Sequence, residues 1–151
     1  TPPAPDLQVT VDVPPTWRPF LQDDIAEAFA SRIQTVFKQR GYTGRIAYLD
    51  RATDPRPGVP VLEVRLVEWR IGRTQDAQCT FSASLRTDGG EKSLGLVANT
   101  AFFWPEAGGR WGLARRMDVA DALEDAAARA LRELFQRVAE TGAVPGLVAK
   151  K

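Results

Sequence analysis

Between Ala77 and Arg86 apolar and polar positions alternate without a break. Ala77, Cys79, Phe81, Ala83 and Leu85 fall on one side, and Gln78, Thr80, Ser82, Ser84 and Arg86 on the other. Successive side chains of a strand leave opposite faces, so this period of two predicts a half-buried β-strand. Thr87-Asp88-Gly89-Gly90 follows, and its glycines can adopt the positive φ that a tight hairpin needs. A further run from Lys92 is expected to place Leu94, Leu96 and Ala98 on one face and Ser93 and Asn99 on the other. Upstream, Leu62, Val64 and Leu66 alternate with Glu63 and Arg65. The phase then shifts at Val67, after which Trp69 and Ile71 are the apolar partners of Glu68 and Arg70, which predicts a β-bulge near Leu66–Val67. Residues 61–104 thus read as a three-stranded antiparallel meander with one apolar face.

Leu7, Val9, Val11 and Val13 alternate with Gln8, Thr10 and Asp12 and predict an earlier strand, stopped by Pro14-Pro15. From residue 21 to residue 40 the period becomes helical, with Ile25, Phe29, Ile33, Val36 and Phe37 on one stripe. Asp23 and Asp24 suit the positive end of that helix, Lys38 and Arg40 the negative end, and Gly41 its C-terminal cap. Ile46, Tyr48 and Leu49 predict a short strand, and residues 50–58 a loop. A second long helix is expected to start at an Asp118 cap. Its apolar stripe is Leu123, Ala127, Ala130, Leu131, Leu134 and Val138, and Gly142 ends it. The predicted architecture is an α+β two-layer sandwich: a mostly antiparallel sheet, order β-α-β-β-β-β-α, with two helices packed on one face. Residues 1–6 read as a flexible proline-rich tether, 7–142 as a single domain and 143–151 as a frayed tail.

Composition narrows the function classes. The 151 residues can bury a core without metal or disulfide staples, and a net charge of +1 gives no strong field for nucleic acid or anionic lipid. No histidine is present, which removes the commonest general base and metal ligand and any Ser-His-Asp or Cys-His arrangement. The lone Cys79 lies on the apolar side of a strand, where a thiol is a small hydrophobe. Gly89-Gly90 and Gly108-Gly109 lack the lysine context of a phosphate loop, and Asp23-Asp24 and Glu124-Asp125 are explained by helix-end electrostatics. No catalytic, cofactor or metal residues are assigned, and the reading is non-enzymatic. Helix, three antiparallel strands and helix is also the order of double-stranded-RNA-binding domains. Their second helix opens on basic residues, whereas this one opens on Asp118, Asp121, Glu124 and Asp125, so nucleic acid is not the expected partner.

Aromatic area gathers at strand ends and loops, in Trp17, Trp69, Phe103, Trp104 and Trp111. These rings either cap the open end of the core or form a contact site, since tryptophan buries large area at little rotamer cost. Arg110, Arg115 and Arg116 flank Trp111 in a glycine-rich stretch. Trp69, Trp104, Arg110, Trp111, Arg115 and Arg116 are therefore the candidate partner-binding residues.

A proline-rich start, a strand at 7–13, a helix at 23–40, an antiparallel stretch at 61–104 and a closing alanine-rich helix at 118–140 together resemble small bacterial envelope lipoproteins. In layout the chain is similar to the LptE-like lipopolysaccharide-assembly lipoproteins. It departs from them in lacking a lipidated N-terminal cysteine and in the loop at 110–117, and no motif aligns that would carry over site residues. The resemblance implies a periplasmic accessory domain, anchored to the outer membrane through a segment ahead of Thr1. Its expected partner is a larger envelope or membrane protein, with lipopolysaccharide or lipid as a further contact. The alternative is a ligand- or nucleic-acid-binding module using the polar sheet face.

Overall fold

The structure, a computed structural model, describes residues 5–13, 22–50, 54–71, 76–102 and 112–148. The meander consists of β3 (Val61–Ile71), β4 (Asp76–Thr87) and β5 (Gly90–Phe102), and Gly90 closes the hairpin at φ 123°. β3 and β4 pass from Leu66 opposite Phe81 to Glu68 opposite Thr80, leaving Val67 as the extra residue of the predicted bulge. Trp69 therefore comes opposite Cys79, on the core side of the sheet.

A second bulge corrects the reading of β5. Ala83 faces Gly95 and Ser84 faces Ser93, so Leu94 is inserted and Gly95 turns the chain at φ +83°. The phase flips there. Leu94 is buried, but Leu96 is 60% exposed, and Val97 and Ala101 take over the core side. Leu94, Leu96 and Ala98 do not share a face.

β1 (Leu7–Asp12) lies inside the sheet, parallel to both β2 (Ile46–Tyr48) and β3, giving the order β2-β1-β3-β4-β5. Parallel neighbours require a crossover, and α1 (Gln22–Gln39) supplies it between β1 and β2. Phe29, Ile33, Val36 and Phe37 of α1 are buried. The helix ends in a Schellman motif: Gly41 at φ 100° donates its N–H to the Lys38 carbonyl, and Tyr42 donates to that of Phe37. Leu49 continues past β2, with its N–H on the Val9 carbonyl at 2.9 Å.

The closing helix α2 runs Gly112–Thr141 and starts six residues before the expected Asp118 cap. Leu113, Ala114, Arg115, Arg116 and Met117 are strong helix formers, so the helix extends back through them. Ala122, Ala126, Ala127, Ala130, Leu131, Leu134, Phe135 and Val138 bury its inner side. Phe37 and Phe135 join the helices edge to face, with ring centroids 5.1 Å apart. Part of the stretch expected to fray is packed. Val144 and Leu147 are buried in the same core, at the two ends of a turn that the Leu147 N–H closes on the Val144 carbonyl at 3.2 Å. The two helices lie on one side of a five-stranded sheet, over one continuous hydrophobic core. Residues 1–4, which hold most of the tether, fall outside the described residues.

Candidate interaction surface

The polar residues of the strands line up on the sheet face away from the helices. The register sets Thr10 beside Glu63 and Asp12 beside Arg65, with Ser84 and Ser82 next across on β4. Thr10, Asp12, Glu63, Arg65, Ser82, Ser84 and Ser93 line a shallow depression of about 390 Å³. Glu91 also lines it, and most of the charges on this face are paired. Arg65 faces Asp12 at 3.5 Å, Arg86 pairs with Glu63, and Arg70 pairs with Glu68. Ser84 also donates to Glu63 at 3.4 Å. The face is polar without a dominant sign, and two aliphatic side chains break it: Val67, 48% exposed, and Leu96, 60% exposed. Each sits at or just beyond a bulge.

One end of this face is closed. Gln8 is 1% exposed and sits under the loop before β3. Its Nε2 donates to the carbonyls of Arg56 and Val59, and its Oε1 accepts the Arg56 N–H at 2.7 Å. A buried amide with its partners in place holds the loop down over the sheet. The two sheet edges are partly guarded. Gln34 donates to the Ile46 carbonyl of β2 at 3.4 Å, and Arg137 of α2 donates from Nη1 to the carbonyls of Leu94 (2.7 Å) and Leu96 (3.1 Å) on β5.

Of the six candidate residues, only Trp69 has a described side chain. The Trp69 ring meets Phe29 edge to face at 5.4 Å, and its Nε1–H donates to the Leu123 carbonyl at 2.9 Å. It joins β3 to both helices from the core side. Arg115 and Arg116 belong to the first turns of α2, while Trp104, Arg110 and Trp111, like Trp17 and Phe103, lie outside the described residues. Sequence reasoning missed Val67 and Leu96 as exposed apolar residues. The predicted bulge held the signal for Val67, and a glycine inside a strand pattern held the one for Leu96.

The groups able to do chemistry are few. Cys79 is wholly buried, and burial pushes its thiol up to about 12, so it stays protonated. Burial, and then the nearby Asp6 carboxylate, raise the Tyr42 hydroxyl as well. That hydroxyl lies over Gly44, where a Cβ would come within 2.2 Å of it. Among the described residues no three His, Cys, Asp or Glu side chains gather in a way that could hold a metal, and no helix is long and apolar enough to cross a membrane.

No family model matches the chain, and no curated protein matches it. Solved structures do. The hypothetical protein CT253 from Chlamydia trachomatis has 10% identity and a TM-score of 0.53, over 94% of this chain and 99% of that one. A PelC dodecamer from Paraburkholderia phytofirmans has 16% identity and a TM-score of 0.48, over 83% of each chain. A minor lipoprotein from Acinetobacter baumannii has 10% identity over 85% and 91%, at a TM-score of 0.30. At these identities the likeness to the Chlamydia protein concerns the fold alone, and the two looser likenesses do not bear on function. The class that fold and surface define is an α+β sandwich with one sheet face left uncovered by the described residues.

Proposed function

We propose that the protein is a non-enzymatic accessory domain of the bacterial envelope, periplasmic and lipid-anchored to the outer membrane, that works by contact with a larger envelope protein. The observation that carries this reading is the uncovered sheet face, where locally paired charges surround the exposed Val67 and Leu96. Charges already satisfied within the face cost less to bury than free ones, and the two aliphatic side chains supply the apolar centre that contact patches use. The resemblance in layout to LptE-like lipoproteins points the proposal at envelope assembly, including lipopolysaccharide assembly.

Site-specific photocrosslinking in a Gram-negative host tests it. A photoreactive residue at Leu96 or Val67 is expected to give a discrete adduct with an envelope protein, and one at the exposed Glu27 on the outer side of α1 none. Equal adducts from both sides, or none from the sheet face, overturn the proposal.

A further inference from the structure

The charges on the uncovered sheet face do not quite cancel. Glu91 on β5 stands directly opposite Arg86 on β4. The Arg86 guanidinium is committed on its other side, where Nη2 donates to Glu63 of β3. Ser84 donates to the second Glu63 oxygen at 3.4 Å. Arg65, the next cation on the face, is held by Asp12 at 3.5 Å. Lys92 lies opposite the buried Leu85 and so belongs to the other face. Among the described residues Glu91 is thus left without a cation of its own.

Asp12, Glu63 and Glu91 all line the depression of about 390 Å³, with Arg65 on its wall and Arg86 beside it. Carboxylates therefore outnumber guanidiniums there by one. Between them lies a floor of hydroxyls from Thr10, Ser82, Ser84 and Ser93. The described acidic groups do not gather closely enough to hold a metal, and the surplus charge has the wrong sign for a phosphate. A guanidinium suits this set better than an ammonium. It is planar, spreads five N–H donors in a fixed fork and is more weakly hydrated. One carboxylate and neighbouring hydroxyl oxygens are acceptors that such a fork reaches together.

We propose that the depression receives an arginine side chain of the partner protein, its guanidinium paired with Glu91 beside Ser84 and Ser93. This arginine presupposes the contact surface proposed above and specifies what the partner brings to it. Leu96 lies opposite Ser82 and Glu91 opposite Arg86, four residues apart along β4, or about 14 Å. The partner carries its arginine about that far from whatever covers Leu96.

Titrating N-acetylarginine amide into the isotope-labelled full chain, read by backbone amide NMR, tests this. Shifts are expected at Ser82, Ser84, Glu91 and Ser93, saturating together at roughly millimolar probe. N-acetylcitrulline amide has the same shape without the charge and is expected to bind about tenfold more weakly. Glu91→Gln keeps the length of an exposed side chain and is expected to fold normally and weaken the arginine probe about tenfold. Asp88→Asn removes a charge of the same sign from the neighbouring turn and is expected to change binding by no more than about twofold. Shifts absent from these four amides overturn the proposal, as does citrulline or Glu91→Gln binding at wild-type strength. N-acetyllysine amide binding as tightly as the arginine probe overturns the guanidinium. Photocrosslinking from Leu96 then separates the arginine from the envelope contact. Glu91→Gln is expected to lose most of the adduct. An adduct that survives Glu91→Gln overturns the arginine and leaves the envelope contact standing. Probe binding without any adduct from Leu96 or Val67 supports the arginine site and overturns the envelope contact.

Discussion

Trp69 reads from the sequence as a contact residue, and its surroundings give it a structural task. Its indole bonds to the Leu123 carbonyl and packs on Phe29. Trp69→Phe keeps a ring there and loses the bond, for an expected cost of about 1 kcal/mol in urea unfolding. Trp69→Ala removes the packing as well and should cost about 3 kcal/mol. An unchanged midpoint for the alanine variant would return Trp69 to the contact surface. Cys79 offers a pH signature. Its thiol rises from the ordinary 9.0 to about 12 on folding, so the folded chain holds this proton more tightly than the unfolded one. The stabilisation is complete below pH 9 and is lost as pH climbs toward 12, by about 1.4 kcal/mol for each unit. Between about pH 8 and pH 10 the wild type should therefore lose about 1.4 kcal/mol more than Cys79→Ala does. Parallel pH profiles for the two would show that the thiol ionises as easily in the fold as out of it.

The two bulges show how far the elements can be read in advance. The one at Val67 is legible because clean alternation lies on both sides of it and the phase visibly changes between them. The one at Leu94 is hidden, because Leu94, Leu96 and Ala98 continue an apolar alternation straight across it. Only Gly95 marks the place, and a glycine leaves the alternation on either side of it undisturbed. Its φ of +83° gives it a definite role. Gly95→Ala forces a side chain into the left-handed region and should destabilise by about 1–2 kcal/mol, read as a lower urea midpoint at unchanged slope. No cost would mean that β5 runs without the flip. Both helix stripes are legible from their period. The docking of Val144 and Leu147 is not, since it depends on what the rest of the chain offers as a packing surface. The parallel seat of β1 between β2 and β3 is likewise a non-local choice that its own alternation leaves open.

At the level of the whole molecule, helices cover one side of the sheet, and among the described residues the other side carries no second layer. Large aliphatic side chains on such a face do nothing for the monomer's own core. Val67 and Leu96 are 48% and 60% exposed, and replacing both with lysine should change folding stability by no more than about 0.5 kcal/mol for each. The same change puts two cations where the paired charges of Glu63, Arg65, Arg86 and Asp12 are nearly balanced, and it removes the apolar centre of the patch. If the uncovered face is the working surface, the double lysine variant keeps its urea midpoint but loses the photocrosslinked adduct, read from a reporter at Ser82 between the two sites. Loss of stability instead would mean that both side chains serve the fold. An adduct that survives the lysines would place the working surface elsewhere on the molecule.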